Sequence, residues 1–279
     1  MKIPFTKMHG LGNDFMVVDC TERDLQLRPK LIRKLSDRNF GVGFDQLLLV
    51  EKASTSEVDF HYRIFNTDGT EVEHCGNGAR CFATFVRDKG LSNKDLIDVS
   101  TINRNLKLTF HDDGEISVDM GHPEFDPSKI PFLCDSRLNI YERFIKISGV
   151  KTTISFSVLS MGNPHAVVCV EDVANTAVKD IGKALGSHPD FTEGVNVGFM
   201  EILSRDTIQL RVFERGTGET LACGSGACAA VVVGRLLEKL NSKVIVNLPG
   251  GQLTVCWDLS SSVIMKGPTQ TVYEGTIEI

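Results

Sequence analysis

Two cysteines stand in matching surroundings, His74-Cys75-Gly76-Asn77-Gly78-Ala79 and Ala222-Cys223-Gly224-Ser225-Gly226-Ala227. Each lies at the mouth of a glycine-rich turn that opens a stretch of helical spacing. The first N–H groups of a helix have no intrahelical partner and carry partial positive charge. A cysteine there has its thiolate favoured, so its pKa can fall below the free value of about 8.5. The same N–H groups, with glycines permitting close approach, bind a carboxylate or phosphate. Thiol and anion site therefore come as one unit, twice. If two such units face each other, a carboxylate substrate presents its α-carbon between two sulfurs. One thiolate then removes the α-proton while the opposite thiol returns a proton to the other face, which inverts the stereocentre. Such a pair ionises once readily and twice with difficulty, because the first charge raises the second pKa. A single cysteine at a helix start is more often a packing residue; the duplication is what favours chemistry.

The duplication extends well beyond the two turns. Gly12-Asn13 followed by Val17-Val18 recurs as Gly162-Asn163 followed by Val167-Val168, an offset of 150. Residues 65–79 align with 213–227 at an offset of 148, with identities at Phe65/Phe213, Glu71/Glu219, Cys75/Cys223, Gly76/Gly224, Gly78/Gly226 and Ala79/Ala227. A nearly constant offset marks an internal repeat. It predicts two similar halves, residues 1–120 with 264–279 and residues 121–263, joined near Gly121-His122-Pro123. The return of the C-terminal residues to the first half follows from the family resemblance given below.

Several elements that must position these residues are legible. Alternating stretches at 106–110 and 116–120, separated by Asp113-Gly114, predict a hairpin. Residues 208–213 and 243–246 read as further strands. Ala79, Phe82, Ala83 and Val86 share one helical face, which ends near Gly90. Residues 227–233 are apolar on all sides, as in a helix enclosed by a sheet. Strands dominate, so the fold class is α+β.

The 279 residues carry 30 Lys plus Arg against 36 Asp plus Glu, a formal charge of -6. That balance excludes the basic surface expected of a nucleic-acid binder. No apolar run approaches the roughly 18 residues of a membrane span, and the first residues lack the apolar core of a signal peptide. A cytoplasmic protein is the expectation. Eight cysteines without any Cys-x-x-Cys give little support to a zinc or redox motif. Cys20, Cys134, Cys169 and Cys256 are expected to be small buried apolar residues, and Cys81 and Cys228 to pack inside their helices. Phosphate-loop, dinucleotide and zinc-helix motifs are missing, and no lysine stands in a context that singles it out for pyridoxal phosphate.

The chain resembles the diaminopimelate epimerase family across essentially its full length. The resemblance is carried by Met8-His9-Gly10-Leu11-Gly12-Asn13-Asp14-Phe15, Phe65-Asn66-Thr67-Asp68-Gly69 and the Cys75 turn. Gly162-Asn163-Pro164-His165, Gly194-Val195-Asn196 and Glu214-Arg215-Gly216-Thr217-Gly218-Glu219-Thr220 leading into Cys223 carry it in the second half. The wider superfamily includes proline racemases and phenazine-type isomerases, so fold alone does not settle activity.

The resemblance implies interconversion of LL- and meso-diaminopimelate without pyridoxal phosphate, metal or other cofactor, serving lysine and peptidoglycan precursor synthesis. It makes Cys75 and Cys223 the acid/base pair. It gives the α-carboxylate to the N–H groups of Gly76, Asn77, Gly224 and Ser225. Asn13, Gln46, Asn66, Asn163, Asn196, Glu214 and Arg215 match substrate-contacting positions, with Arg215 the partner of the distal carboxylate. His165 and Glu214 match residues that tune the thiols or orient the α-amino group. The implied fold is two pseudosymmetric strand-rich halves, each around a central helix, with the site in the cleft between them. A homodimer is implied, with no nucleic-acid or membrane partner. Rival readings are another isomerase of the superfamily, an amino-acid-binding module whose cysteines merely pack, and a redox or metal-binding thiol protein.

Overall fold

The computed structural model describes residues 1–25, 27–73 and 75–279. They divide into two compact units, Met1–Asp119 with Lys266–Ile279, and Met120–Met265.

In the first unit, β1 (Lys2–Gly10) and β2 (Asn13–Cys20) form a hairpin in which Gly10 pairs with Asn13. Its turn residues Leu11 and Gly12 have φ of 55° and 86°, the left-handed pair of a type I′ turn, whose twist suits a hairpin. Helix α1 (Pro29–Ser36) leads to β3 (Gln46–Lys52), which runs parallel to β2 with Gln46 opposite Phe15. β4 (Phe60–Asn66) returns antiparallel to β3, and the short β5 (Glu71–Val72) folds back on β4. Helix α2 (Gly76–Asp88) follows, then β6 (Leu96–Ser100), β7 (Asn105–Phe110) and β8 (Ile116–Asp119). Leu108 and Val118 pair across the β7–β8 hairpin.

Burial explains this arrangement. Leu47, Leu48, Leu49 and Val50 of β3 are all fully buried, because α1 packs on this strand as well as α2. A continuous apolar run is what a strand covered on both faces requires. Ile32 and Leu35 of α1 join Phe44, Leu47 and Leu49 in one cluster. α2 buries Ala79, Phe82, Ala83, Phe85 and Val86 and packs with β1, β2, β3, β7 and β8, so it is the unit's central helix.

The second unit contains β9 (Tyr141–Ile147), β10 (Val150–Ser160), β11 (Pro164–Val170), α3 (Val178–Gly186), β12 (Asn196–Ser204), β13 (Thr207–Glu214), β14 (Gly218–Thr220), α4 (Gly224–Leu236), β15 (Lys243–Leu248) and β16 (Gly251–Cys256). Phe132, Tyr141, Phe156 and Phe191 form an aromatic cluster, with ring centroids of neighbouring pairs 4.7 to 6.2 Å apart. α4 is buried from Gly226 through Gly234. Its run Val231-Val232-Val233 has poor intrinsic helix preference, so enclosure by β10–β13 and β16 holds the helix rather than propensity. The chain leaves this unit within β17 (Ile264–Gly267). It ends with β18 (Gln270–Glu278) antiparallel to β1, Lys2 opposite Glu278.

The two halves repeat in register as well as in order. Phe15 pairs with Gln46, and 150 residues later His165 pairs with Asn196. Ile64 and Phe65 pair with Val72 and Glu71, and 148 residues later Val212 and Phe213 pair with Thr220 and Glu219. An ion pair is copied too: Arg63 Nε meets Glu71 at 2.8 Å and Arg211 Nε meets Glu219 at 2.6 Å. With eighteen strands and four α-helices among the described residues, the fold is α+β, with two pseudosymmetric strand-rich halves, each built on a central helix.

Two sequence expectations need correction or completion. Cys169 is exposed and Cys134 and Cys256 are half-buried, so of those four cysteines only Cys20 is a buried packing residue. Cys169 falls where β11 leaves the core after five buried positions. Helices α1 and α3 are additional to the elements read from sequence; both are short, with two or three buried residues each.

Candidate active site

Cys75 is the N-cap of α2 and has extended backbone angles. Its Sγ accepts from the Gly78 N–H at 3.5 Å and lies 3.7 Å from Asn13 Oδ1, which it reaches as a donor. Asn13, at the start of β2, also accepts from Asn77 Nδ2 at 3.3 Å. The first turn of α2 is tightly enclosed: Gly76, Asn77 and Gly78 are all buried. A Cβ at Gly78 would collide with the Tyr62 hydroxyl, so only glycine allows this approach. His74 lies outside the described residues.

Asn13 is itself held from behind. Its Nδ2 donates to Asp45 at 3.0 Å, and the same carboxylate oxygen accepts from the Asp14 N–H. Arg38 binds both oxygens of Asp14 at 2.8 and 2.9 Å and also reaches Asp45 at 2.8 Å. Lys7 donates to Asp14 at 2.6 Å and to the Gly43 carbonyl. Burial raises the Asp14 carboxyl, but Arg38 and Lys7 outweigh it and hold the pKa at about 2. At the adjoining strand ends, Gln46 Nε2 donates to Asn66 Oδ1 at 3.0 Å. The buried Gln46 Oε1 has no hydrogen-bond partner among the described residues.

Cys223 occupies the matching N-cap of α4 and is buried. The Ser225 hydroxyl lies 3.7 Å from its sulfur. Here the expected lowering of the thiol pKa is reversed. Burial pushes it well above the ordinary value, and the Glu214 carboxylate adds to the effect, against the opposing Gly226 N–H and Ser225 hydroxyl. A helix N-terminus contributes only partial charge, too little to offset desolvation next to a full negative charge. Glu214 is fixed by Thr220, whose hydroxyl donates to Oε1 at 2.5 Å.

His165 is fully buried on β11 and shares a 3.0 Å hydrogen bond between Nε2 and Asn163 Oδ1. Burial, with Arg215 adding to it, depresses its pKa to about 3, so the ring is neutral near neutral pH. With Nε2 donating, Nδ1 is left as an acceptor, and it has no partner among the described residues. Asn196 donates to the Pro164 carbonyl and accepts from the Arg215 backbone N–H at 2.9 Å. The exposed Arg215 guanidinium donates to the Glu193 carbonyl at 2.7 Å. Gly194, at φ 71°, leaves room for its methylenes.

Within the first unit the structure thus joins Cys75, Asn13 and Asn77, with Gly76 beside them and Gln46–Asn66 as a separate pair. Within the second it joins Cys223 to Glu214 and Ser225, Asn163 to His165, and Asn196 to Arg215 through the backbone, with Gly224 opening α4. Asp45, Arg38, Tyr62 and Arg80, whose Nη2 donates to Asn77 Oδ1 at 2.9 Å, complete these surroundings and are not singled out by motif; Thr220 lies within the Glu214–Thr220 run, which assigns it no role.

The model of a family described as diaminopimelate epimerase matches residues 5–125 and 157–272. Among solved structures, the chain is similar to a PhzF-family phenazine biosynthesis protein from Bacillus anthracis, with 16% identity, TM-score 0.68 and full coverage of both chains. It is also similar to a hydroxyproline epimerase from Agrobacterium vitis, with 14% identity and TM-score 0.70 over 99% of this chain and 92% of that one. An epimerase-like structure from Pseudomonas aeruginosa gives 17% identity and TM-score 0.66 over 99% of each chain. These distant likenesses concern the fold. The family match spans most of both units, and on it the chain belongs to the diaminopimelate epimerase family, whose members are isomerases.

Proposed function

We propose that this protein is a diaminopimelate epimerase that interconverts the LL and meso isomers by a two-base mechanism on Cys75 and Cys223. The observation that carries this reading is the repeat itself. Each unit presents a cysteine as the N-cap of its central helix, with carboxamide or carboxylate residues at matching strand ends. One thiolate takes the α-proton, and the opposite thiol delivers a proton to the other face. The sulfur that received the proton becomes the thiol, and the donor becomes the thiolate. The N–H groups of Gly76, Asn77, Gly224 and Ser225 hold the α-carboxylate and stabilise charge that develops during proton removal.

The remaining residues suit a substrate with an amine and a carboxylate at its far end. Gln46 Oε1 and His165 Nδ1 are buried acceptors without partners among the described residues, which an ammonium group would satisfy. Arg215 takes the distal carboxylate as a planar fork. Asn13, Asn66, Asn163 and Asn196 supply neutral donors and acceptors. Such a site rejects amino acids lacking the distal groups, because its polar atoms would be left unpaired. The reaction requires no pyridoxal phosphate or metal. The protein works in the cytoplasm as a homodimer and supplies meso-diaminopimelate to lysine and cell-wall synthesis.

The test is proton NMR of meso-diaminopimelate with the protein in deuterated buffer under reductant, beside Cys75→Ala and Cys223→Ala. Loss of the α-proton signal with appearance of the LL isomer, abolished in both variants, is expected. Binding without exchange would leave an amino-acid-binding module. Exchange with proline in place of diaminopimelate would make it another isomerase of the superfamily.

A further inference from the structure

Asp68 and Thr70 lie in the turn between β4 and β5. The Thr70 hydroxyl and backbone N–H both donate to Asp68 Oδ1, at 2.6 and 2.8 Å. These two bonds hold the exposed carboxyl below its usual range, so it is ionised near pH 7. An ionised carboxylate only accepts. The single hydroxyl proton of Thr70 is therefore committed to Asp68, and Thr70 Oγ1 is left to accept. It does so from Asn66 Nδ2 at 3.4 Å. The other end of the Asn66 amide is then oxygen, which accepts from Gln46 Nε2 at 3.0 Å. With its nitrogen turned to Asn66, Gln46 is left with Oε1, buried and without a partner among the described residues. Each link dictates the polarity of the next, as in any chain of hydrogen bonds.

Neither residue is needed to close the turn. The second half makes the matching connection, between β13 and β14, with Gly216 and Gly218 at the positions aligned with Asp68 and Thr70. There Glu214 replaces Asn66, and its anchor Thr220 aligns with Val72. The relay therefore belongs to the first half alone. Its backbone is held from outside as well. Arg33 of α1 donates to the Asp68 carbonyl at 2.7 Å, and Gly69, at φ 87°, packs so closely on Pro29 that a Cβ there would overlap it.

We propose that Asp68, through Thr70 and Asn66, turns the Gln46 amide so that it offers an acceptor, and thereby makes this point of the site select an ammonium over a group that only accepts. Asp68 and Thr70 are positioning residues in this scheme. That the ammonium belongs to diaminopimelate rests on the reading above; the direction of the relay does not. Removing the Asp68 carboxylate frees the Thr70 proton to bond Asn66 Oδ1. Both amides then reverse, and Gln46 presents Nε2, a donor that an ammonium cannot bond.

The test combines amide NMR of the ligand-free protein with steady-state kinetics. With nitrogen-15 labelling, nuclear Overhauser contacts of the Asn66 side-chain NH2 report which neighbour it faces. In the parent it is expected to face Thr70, and in Asp68→Ala to face Gln46. The same variant is expected to raise KM for diaminopimelate about tenfold with kcat nearly unchanged, as when a ground-state contact is lost. Asp68→Asn keeps an accepting oxygen without the charge, so it is expected to restore the parental contacts and most of the KM. An Asn66 amide that still faces Thr70 in Asp68→Ala overturns the relay. So does an Asp68→Asn variant as impaired as Asp68→Ala, because charge and not acceptance would then be the cause. If Asp68→Ala does not fold, the relay is cut at its next link: Thr70→Val is expected to raise KM and Thr70→Ser to restore it, and equal values in both and the parent overturn the proposal. Reversed amides in a protein that does not epimerise diaminopimelate would reject the epimerase reading and keep this one.

Discussion

Thr220 and Glu214 are joined by a 2.5 Å hydrogen bond from hydroxyl to carboxylate, and the Glu214 carboxylate in turn helps to raise the pKa of the Cys223 thiol. The threonine therefore decides where that negative charge sits. Bonds to charged groups contribute about 1.5–3 kcal/mol, which corresponds to roughly 10- to 100-fold in rate. Thr220→Val is expected to lower kcat/KM for diaminopimelate by about that factor, and Thr220→Ser to recover most of it. Full activity in the valine variant would show that Glu214 needs no anchor.

Asp45 offers a parallel test in the first half. It fixes the Asn13 amide so that Oδ1, not Nδ2, points to the sulfur. Its carboxylate is nearly half exposed, so its loss should cost little stability. Asp45→Ala is expected to reduce kcat/KM about tenfold, with a thermal midpoint close to that of the parent. A large fall in thermal midpoint with unchanged kinetics would reverse this assignment.

Tyr62 and Gly78 make a coupled pair. The Tyr62 hydroxyl is buried without a partner among the described residues, and a methyl group on Gly78 would strike it. Tyr62→Phe removes an unsatisfied group and is expected to be neutral or to stabilise by about 1 kcal/mol. Gly78→Ala overpacks the same space and is expected to cost about 1–3 kcal/mol. In the double variant most of that cost should vanish, as denaturant unfolding will show; strictly additive effects would mean the clash lies elsewhere.

His165 links stability to pH with a definite sign. Its folded pKa of about 3 lies below the ordinary value of 6.5. Between those values the unfolded chain binds the proton and the folded protein does not, so stability is complete above about 6.5 and declines as pH falls towards 3. One proton gives a limiting slope of about 1.4 kcal/mol per pH unit. Denaturant melts of the parent and His165→Gln between pH 7 and 4 should differ in slope, the variant being flatter. Parallel curves would falsify the burial account of this ring.

The two helix starts of the candidate site were legible in the sequence because the repeat concentrates glycine and cysteine where backbone must approach closely. Gly76, Gly78, Gly224 and Gly226 announce two helix starts, and both cysteines are N-caps. The β7–β8 hairpin and the all-apolar α4 also follow directly from periodicity. What stayed hidden depends on contacts distant along the chain. Asp45 reaches Asn13 across 32 positions, and no local pattern marks such a pair. The raised Cys223 pKa was likewise out of reach, since depth of burial comes from packing and not from the turn. The copied Arg63–Glu71 and Arg211–Glu219 bridges lie partly outside the aligned window and emerge only when the strand registers are compared.

The pairing of β18 with β1 imposes an order of events during synthesis. The second unit, Met120–Met265, is one uninterrupted stretch, whereas the first needs Lys266–Ile279 to supply a neighbour for its opening strand. Domains generally fold in the order in which the ribosome makes them. Here the earlier-translated half must wait with the edge of β1 uncovered until Lys266–Ile279 emerges, and the later-translated half can finish before it. An unpaired edge of this kind invites association with other chains. Nascent molecules are therefore most exposed to aggregation, and most dependent on chaperones, in the interval before β18 arrives.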